Sequence, residues 1–576
     1  MRPRLFLPVL VGLCVAMMSL AVHAQVDSVR FEALKTRLQQ LADTYHKMPV
    51  AYQRLMSGNS NAVFISSALK RIQPQLLKKG AAARPALSQA IRAATAATAV
   101  TTAAPGTNPT KVNDPSTDLD VSAFAGFTQS ETSTGLCGSN AVVGFNDSGS
   151  FADTLIHGTG GFSFSGVAVS HNRGGTFQDV GPVPPGPNVA DFIIGDPVIA
   201  CTDPSTFYYS QLLASADAAG NPLTGLAFSG STDGGNTWSD PSPSILKDGF
   251  SHSIDKDWMA IDPSNHRRVY VSYTDFDASG FNVPVPPDAA CPNDFRVGIE
   301  VVSSHDGGRH WGKPVVVDQI CGFADALQGS HVVVDSKGMV HVAWVYFNNF
   351  PFGPRELRVS GFRSGNKPSA YVVADGIVGG GDTYYLQGEF RDFLGLDFAV
   401  DTSGTATDGT LYLTWDDGRD KVIPDLFGLS GTYAFDDVLA RASVDGGASW
   451  GLAPVKVNSD NQPQAGYGHD HYQPGVAVDS RGNVAICWYD RRADGQNFTI
   501  SRYCAESAGG GPFNNFKVNI NPYGPNRGID GLINPVYMGD YDGLTSDFTR
   551  SSTGFIGAFQ VQNSNANPDV RAYSFQ

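Results

Sequence analysis

The sequence is poor in charge and in cysteine, and it lacks the short motifs of several large enzyme classes. Only 16% of its 576 residues are charged, too few for a coiled coil, while 41% are hydrophobic, too many for a disordered chain. It contains no Cys-x-x-Cys, His-Glu-x-x-His, Gly-x-Ser-x-Gly or phosphate-binding Gly-Lys-Ser/Thr motif. Several large enzyme classes therefore lose their usual sequence support.

Positive charge is scarce as well. Lys and Arg number 40 against 55 Asp and Glu, and the net charge of −15 argues against a nucleic-acid-binding protein. The basic residues concentrate early, because residues 25–92 hold 11 Lys and Arg but only 3 Asp and Glu. A small basic segment thus precedes a large acidic body, and the opposite charges favour contact between the two.

Long apolar runs are confined to the start of the chain. Arg2 and Arg4 precede an apolar stretch at 5–20, and Val22-His23-Ala24 forms a small-x-small cleavage site, as in a secretory signal peptide. We therefore expect a signal peptide at 1–24, cleavage near Ala24, and export to the extracellular space or periplasm without a membrane span. Six cysteines remain after cleavage, which predicts three disulfides in any of 15 pairings.

Helical and β-sheet patterns occupy different parts of the chain. Residues 25–92 are predicted to form a small helical region, because Phe31, Leu34, Leu38 and Leu41 recur at three- and four-residue spacing. Residues 93–118 are rich in Ala, Thr and Pro and are predicted to be a linker. From 119 to 576, short β-branched runs alternate with Gly, Asp, Asn and Pro clusters, which predicts an all-β domain.

One eight-residue pattern, Ser-x-Asp-x-Gly-x-x-Trp, recurs in this all-β region. The Ser and Asp side chains can bond backbone N–H groups of a turn, Gly permits a positive φ, and Trp supplies a large core anchor. A near-copy at 170–177 carries Asn and Phe in place of Asp and Trp. The intact copies contain Ser231, Asp233, Gly235 and Trp238; Ser304, Asp306, Gly308 and Trp311; and Ser443, Asp445, Gly447 and Trp450.

A second unit alternates with this octet: an apolar strand ending in Asp, a turn, and a strand ending in an aromatic residue. Each period is long enough for four strands, and four-stranded units around an axis form a β-propeller, which leaves only short, protected edges. Seven hairpin units predict seven blades, with six as the alternative, and residues 119–128 are expected to complete the last blade. The marker residues of the second unit are Asp203, Asp262, Asp335, Asp401, Asp479 and Asp547.

The octet resembles the Asp box, or BNR repeat, of sialidases and related propellers, and the wider pattern resembles exported bacterial sialidase-like proteins. Further matching pieces are 255–258, 488–492 and 539–541. This resemblance implies that the box is a structural turn between the third and fourth strands of a blade, on the face opposite the active site. Sialidases also carry an Arg-Ile-Pro motif near the first blade, whereas this chain has Ser130-Glu131-Thr132 there, which argues against sialic acid as the substrate.

Candidate site residues lie where the innermost strand of a blade begins and the second strand ends, since these ends converge on the axis. Carboxylates dominate there, and clustered carboxylates push one another's pKa values apart, which separates a general acid from a base. The candidate catalytic residues are Tyr541, Asp540, His471, Tyr472, Asp257 and Glu131. The candidate substrate-binding residues are Arg419, Arg491, Arg492, Lys256 and Arg391. The converging ends also include Asp196, His331, Asp392, Asp416 and Asp490.

Two patterns suggest metal binding. Asp275-x-Asp277-x-Ser279-Gly280 resembles the start of a calcium loop, although no Glu stands at the twelfth position, and a structural Ca²⁺ is the one cofactor that the sequence suggests. His469 and His471 are alternate residues that share a strand face, so they could bind a metal or transfer a proton, or belong to an ordinary polar loop.

The repeat also suggests how the cysteines pair. Cys487 and Cys504 lie on successive strands of one blade. Cys137 and Cys201 fall near the ends of adjacent innermost strands, and Cys291 and Cys321 lie in loops on the same face.

Three functions fit these observations. The first is an exported, monomeric glycoside hydrolase of sialidase-like type that acts on an extracellular glycan or polysaccharide. The second is a polysaccharide lyase that uses His471 and Tyr472 as base and acid. The third is a non-catalytic propeller that binds a glycan or a protein, since one fold supports all three.

Overall fold

Short β-branched runs separated by turn residues fold into seven sheets of antiparallel main strands, one for each blade of a β-propeller. The computed structural model confirms the all-β prediction and the preferred count of seven blades. No described helix is long and apolar enough to cross a membrane. The signal peptide at 1–24 and the helical region at 25–92 lie outside the described residues. The structure describes residues 108–114, 128–188, 190–281, 290–348, 354–363, 370–379, 385–388, 390–392, 395–418, 422–424, 432–451, 453–460, 468–525, 538–562 and 568–576.

Each blade runs from an innermost strand near the axis to an outer strand. The first described strand is the short β1 (Thr110–Lys111). Blade 1 contains β2 (Gln129–Cys137), β3 (Asn140–Asp147), β5 (Ser165–Ser170) and β6 (Gln178–Pro182). Helix α1 (Ser148–Ile156) follows β3, and the short strand β4 (Phe162–Ser163) pairs with the sheet of blade 2. Blade 2 contains β7 (Phe192–Cys201), β8 (Phe207–Ala216), β9 (Pro222–Ser231) and β10 (Ser242–Asp248). Blade 3 contains β11 (His252–Ile261), β12 (Val269–Asp277), β13 (Arg296–Ser304) and β14 (Val315–Cys321), with a 3₁₀ turn at Ser279–Phe281.

The remaining blades repeat the arrangement. Blade 4 contains β15 (Ala326–Val334), β16 (Val340–Phe347), β17 (Arg355–Phe362) and β18 (Ala370–Ile377). Blade 5 contains β21 (Leu396–Val400), β22 (Leu411–Asp417), β25 (Asp437–Ser443) and β26 (Val455–Lys456), and blade 6 contains β27 (His471–Val478), β28 (Val484–Asp490), β29 (Ser501–Ser507) and β30 (Asn514–Lys517). Blade 7 contains β31 (Leu544–Ser546), β32 (Phe555–Gln562) and β33 (Pro568–Phe575), and two short pairs are β19 (Tyr385–Leu386) with β20 (Phe390–Arg391) and β23 (Val422–Pro424) with β24 (Thr432–Ala434).

The fourth strand of blade 7 comes from the other end of the chain. β1 pairs antiparallel with β33, so an N-terminal strand completes the last blade and closes the ring. Asn113 extends this junction, because its amide donates to Asp569 at 3.3 Å and accepts from the Val570 N–H at 2.9 Å. The strand expected from 119–128 was therefore placed too late, and residues 119–127 lie outside the described part of the chain.

The octets form turns between the third and fourth strands, as the resemblance implied. In the first copy the Ser231 hydroxyl donates to Asp233 at 2.8 Å and accepts from the Gly235 N–H at 2.9 Å, and the Trp238 indole N–H donates to the Gly235 carbonyl at 2.9 Å. Asp233 also accepts from the Thr237 N–H at 2.9 Å. The marker aspartates cap the turns after the innermost strands, so both kinds of turn lie on one face of the disc.

The octets also set the spacing between blades. Gly308 of blade 3 packs on Phe228 of blade 2, and a Cβ on this glycine would stand only 2.1 Å from the Phe228 ring. The Trp311 ring packs edge-on against the same Phe228 ring, with the two ring centroids 5.2 Å apart. This box therefore packs blade 3 against blade 2.

All three expected disulfides form. Cys487–Cys504 joins directly opposed residues of β28 and β29, Cys137–Cys201 joins the ends of the innermost strands of blades 1 and 2, and Cys291–Cys321 joins a loop to the end of β14. Their Cα–Cα distances are 4.0, 6.3 and 5.6 Å, respectively.

Candidate functional site

The innermost strands carry a repeated β-bulge on the face opposite the octet turns. In five of them, two residues lie opposite a single residue of the second strand. The first bulge residue has a positive φ in each case, and in four blades it is not glycine. Such backbone strain costs about 1–3 kcal/mol per residue and concentrates at functional sites. The bulge residues are Glu131, Asp196, Lys256, Gly329 and Gln473.

Lys256 lies at the centre of the first group of polar side chains. Its Nζ stands 3.5 Å from the centroid of the Tyr541 ring and 4.5 Å from that of Trp258, and it has no hydrogen-bond partner among the residues that the structure describes. Burial lowers the pKa of this amine, although surrounding carboxylates act in the opposite direction. Those carboxylates belong to Asp196, Glu131, Asp257 and Asp540.

Hydrogen bonds join three blades around this amine. The Asn146 amide donates to Glu131 at 2.5 Å and accepts from the Asp196 N–H at 2.9 Å, while the other Glu131 oxygen accepts from the Asp540 N–H at 3.1 Å. Asp257 is fully buried and accepts a hydrogen bond from the Ser210 hydroxyl. Burial raises the pKa of Asp257 to about 7, against the effects of that hydroxyl and of Lys256. This carboxyl group therefore keeps its proton up to about neutral pH, beside several other acidic side chains.

A second group gathers at the ends of strands in blades 4 to 6. Asp392, Asp416 and Asp436 are fully buried, and burial raises the pKa of each, with their mutual repulsion adding to the effect on Asp416 and Asp436. The pKa of Asp392 rises to about 7, although the nearby Arg355 guanidinium opposes the increase. One Asp416 oxygen accepts from the N–H groups of Gly395 and Gln473 at 2.9 and 3.0 Å, which ties blade 5 to the blade 6 bulge.

Asp540 connects the two groups electrostatically. Its charge favours the protonated amine of Lys256 and raises the pKa of Asp392. Asp540 is partly exposed, whereas Asp392 is fully buried. We call these two groups together, with Tyr541, the axial cluster.

The axial cluster contains much of what the sequence predicted. Glu131, Asp257, Lys256, Asp540 and Tyr541 come together, and the Tyr541 hydroxyl donates to the Pro197 carbonyl at 3.3 Å. Tyr472 lies beside the second group, with Asp470 and Asp392 close enough to influence its pKa, which burial raises. Arg419 and the side chain of Arg391 lie outside the described residues.

The structure holds Arg491 in a buried network. Its guanidinium has no exposed surface and donates to Asp470 at 3.2 Å, the Asn497 carbonyl at 2.8 Å and the Gln387 carbonyl at 2.6 Å. Arg492 pairs with Asp490 at 2.7 Å and stacks on the Tyr503 ring, with 12% of its side chain exposed. These contacts hold loop and strand ends in place.

His471 and Tyr472 do not share a site. They are neighbours on β27, so their side chains extend to opposite faces of the strand. His471 approaches Asp460 and Asp490 at 3.2 and 3.6 Å, whereas Tyr472 stacks on Tyr489. His469 approaches the same Asp460 at 3.6 Å, so the two histidines do share a face, as expected from their spacing.

The proposed calcium residues belong to an ion network inside blade 3. Asp275 lies within β12, and its oxygens contact His252 at 2.9 Å, Lys247 at 2.8 Å and Arg296 at 3.0 Å. Asp277 approaches the same imidazole at 3.8 Å. Fixed cationic groups on both oxygens of Asp275 do not suit a calcium ion, which needs oxygens free to coordinate it.

Sequence reasoning missed Arg355 and Asp436. Both lie at the start of third strands, since Arg355 opens β17 and Asp436 precedes β25. In an antiparallel blade the third strand begins on the same face as the first, so the polar residue before each third strand was the available signal.

A separate channel runs among the innermost strands. It has a volume of about 230 Å³, and its lining extends from Asp547 and Arg550 at the turn face to Trp258. Lys256, Glu131 and Tyr541 do not line it. The candidate chemistry therefore lies beyond Trp258, towards the bulge face.

No known family model matches this chain, and no curated protein matches it. Among solved structures, a Penicillium chrysogenum α-L-arabinanase covers 69% of this chain and 94% of its own, at 11% identity and a TM-score of 0.40. The GH93 α-L-arabinofuranosidase of Fusarium graminearum covers 71% of this chain and 98% of its own, at 11% identity and a TM-score of 0.41. The intramolecular trans-sialidase from Ruminococcus gnavus covers 66% of this chain and 94% of its own, at 12% identity and a TM-score of 0.38. At these values the likeness concerns the propeller fold alone, and a function has to be argued from the side chains.

Proposed function

We propose that this protein is an exported glycoside hydrolase that acts on neutral, polyhydroxylated glycans. The observation that carries the proposal is the axial cluster, in which buried carboxyl groups with raised pKa values stand near the partly exposed Asp540. Export is supported by the three disulfides, which form and persist in oxidising compartments.

Glycoside hydrolysis generally needs one carboxylic acid that donates a proton and one carboxylate that acts as base or nucleophile. We assign the acid to Asp392, whose pKa is raised to about 7 by burial, and the carboxylate to the partly exposed Asp540. Lys256 and Glu131 then position Asp540, through the charge of the amine and the hydrogen bond from the Asp540 N–H. Two acidic groups with different environments can thus perform the two roles at one pH.

The charge of the cluster favours a neutral substrate. Glu131, Asp196 and Asp540 surround the Lys256 amine, and Asp470 is paired with Arg491. The raised pKa values of Asp392, Asp416 and Asp436 indicate that a further negative charge in this region is disfavoured. Arg491 is already bound by protein groups, so it is not available to a substrate carboxylate. An anionic sugar would meet like charge here, which disfavours sialosides and uronates.

The two other functions have less support. A lyase that uses His471 and Tyr472 would need both side chains at one substrate, and they extend to opposite faces of β27. A non-catalytic glycan-binding propeller would use the same polar face without turnover, and the kinetic experiment distinguishes it.

The test is hydrolysis of a panel of chromogenic neutral glycosides and sialosides, with an ultraviolet scan of acidic polysaccharides for lyase products. With a neutral substrate, Asp392→Asn and Asp540→Asn should each lower kcat/KM by about 10²–10⁴-fold, the usual contribution of general acid–base catalysis. The wild-type rate should also fall as the pH rises through about 7, because the acid must be protonated to donate.

Asp233→Asn is the matched control, because it removes a carboxylate from an octet on the opposite face. It should leave kcat/KM unchanged. Turnover of sialosides in preference to neutral glycosides would overturn the substrate assignment. Glycan binding without turnover of any substrate would establish the binding function instead.

A further inference from the structure

The channel among the innermost strands opens at the turn face, where turns from blades 3, 5, 6 and 7 surround its mouth. At its other end the channel reaches Trp258, and the Lys256 amine lies over that ring. The channel is therefore separate from the axial cluster, and its chemistry does not depend on the proposed function. The turn residues that line it include Pro263, Thr402, Ser403, Ser480 and Arg550.

Arg550 occupies a turn position that glycine holds in three other blades. It is the third residue after the marker Asp547, and its φ is +57°. A side chain at such an angle strains the backbone, and strained positions concentrate at functional sites. Blade 7 thus carries a guanidinium at the channel mouth at the expense of backbone strain. The residues at this position in blades 4, 5 and 6 have φ of +73°, +74° and +78°, and they are Gly338, Gly404 and Gly482.

The Arg550 guanidinium is available to a ligand. It is exposed, and it makes no hydrogen bond or ion pair with any residue that the structure describes. Among the described residues that line the channel, it is also the only Lys or Arg side chain. A ligand that enters from the turn face therefore meets one cationic group with its donors uncommitted.

The carboxylates of the channel lining are already bound by protein groups. Asp547 accepts hydrogen bonds on both oxygens from groups of its own turn. Asp479 pairs with Arg481 at 2.8 Å, and Asp397 accepts on both oxygens from backbone N–H groups. These contacts offset the negative charge of the lining, whereas the charge of Arg550 is not offset by a direct contact.

The size and the polar groups of the channel limit what it can bind. Its volume of about 230 Å³ is below the roughly 300–1,000 Å³ typical of sites for drug-sized ligands, so it has room for about one sugar unit. Thr134 lines the channel, and its buried hydroxyl has no hydrogen-bond partner among the described residues. Hydroxyl groups on the ligand suit such a lining, since a buried polar group without a partner is costly.

We propose that the channel binds one small hydroxylated molecule with a single oxyanion group, and that Arg550 holds this group at the turn face. An arginine fork binds a carboxylate or a phosphate through two parallel hydrogen bonds, which gives both affinity and orientation. A sugar acid and a sugar phosphate present this same chemistry, and the experiment distinguishes them.

The test is titration calorimetry of the purified full chain with galacturonate and with glucose 6-phosphate. Galactose and glucose are the uncharged counterparts. We expect one binding event per chain for at least one of the two anions, and weaker binding of its uncharged counterpart. Arg550→Gly, which introduces the residue found in blades 4 to 6, should weaken anion binding by at least about tenfold, because a charge-assisted hydrogen bond is lost.

Two controls make the result specific. Arg267→Gln removes an exposed arginine from the blade 3 turn, outside the channel lining, and should leave binding unchanged. Urea unfolding shows whether a loss of binding reflects a loss of structure. Arg550→Gly should keep the wild-type midpoint, because relief of the positive φ offsets the greater freedom of glycine in the unfolded chain.

The outcomes separate cleanly. Binding of galacturonate alone would identify a carboxylate as the preferred oxyanion, and binding of glucose 6-phosphate alone would identify a phosphate. Equal affinity of the wild type and Arg550→Gly, or equal weakening by Arg267→Gln, would overturn the proposal. Uncharged sugars that bind as tightly as the anions, or no binding of either anion at about 10 mM, would overturn it as well.

Discussion

The octet turns give a sharp test of how the blades are spaced. Gly308 and Gly447 occupy the same position in two octets and have similar backbone angles, with φ of +84° and +91°. Their surroundings differ. A Cβ at 308 would lie 2.1 Å from the Phe228 ring of the preceding blade, whereas a Cβ at 447 would lie 3.4 Å from Leu411. Alanine at both positions therefore separates backbone strain from packing between blades.

The expected costs follow from two contributions. An L-residue at positive φ costs about 1–2 kcal/mol, and this cost applies to both Gly308→Ala and Gly447→Ala. Overpacking adds about 1–3 kcal/mol and applies only at 308. The Phe228 ring cannot move aside freely, because Tyr208 and Trp311 contact it with ring centroids 5.0 and 5.2 Å away. We expect a loss of about 2–5 kcal/mol at 308 against about 1–2 kcal/mol at 447.

The assay is equilibrium urea unfolding under non-reducing conditions, with the slope m compared among the three proteins. Equal m values and a larger drop in the midpoint for Gly308→Ala would match the expectation. Destabilisation of the two variants by amounts within about 0.5 kcal/mol of each other would refute the packing argument, because strain alone would then account for both.

Three more predictions concern the fold and the axial cluster. Folded Asp257 keeps its proton up to about pH 7, whereas the unfolded chain releases it near pH 3.8, so the free energy of unfolding falls as the pH rises through that window. Measured by urea unfolding, the stability of Asp257→Asn relative to wild type should therefore increase by about 3 kcal/mol between pH 5 and 8. The same pH dependence in both proteins would contradict this. Replacing both Cys137 and Cys201 by Ser should cost about 4 kcal/mol in the same assay, because their bond closes a long loop with a separation of 64 residues, and an unchanged midpoint would rule this out. Asn113→Ala should cost about 1–3 kcal/mol by removing the partner of the buried Val570 N–H, and a silent variant would show that this junction does not secure the ring.

Local chemistry explains why so much of the fold was predictable. Ser231 and Asp233 find their partners within eight residues, so the octet specifies its turn without help from the rest of the chain. The repeat then gives the blade count and aligns the cysteines, and all three pairings were confirmed. The closing strand was misplaced, because β1 has only two paired residues and too little pattern to recognise.

The axial cluster was harder to predict, because it depends on contacts between distant residues. Strand ends indicated Glu131, Lys256 and Asp540. The buried side chains of Arg355 and Asp436 reach the cluster from third strands, which the sequence analysis did not consider. The separation of His471 from Tyr472 follows from the alternation of β27, once its boundaries are known.

The sequence by itself determined the repeating blade, its turn chemistry and the residues that converge on the axis, because each of these depends on short-range spacing. Only the tertiary structure decided which carboxyl groups are buried together, which arginines are already bound by protein groups, and which face of each strand a side chain occupies. Burial and repulsion from neighbouring carboxylates raise the pKa values of Asp392, Asp416 and Asp436, and those effects exist only once blades 4, 5 and 6 are brought side by side.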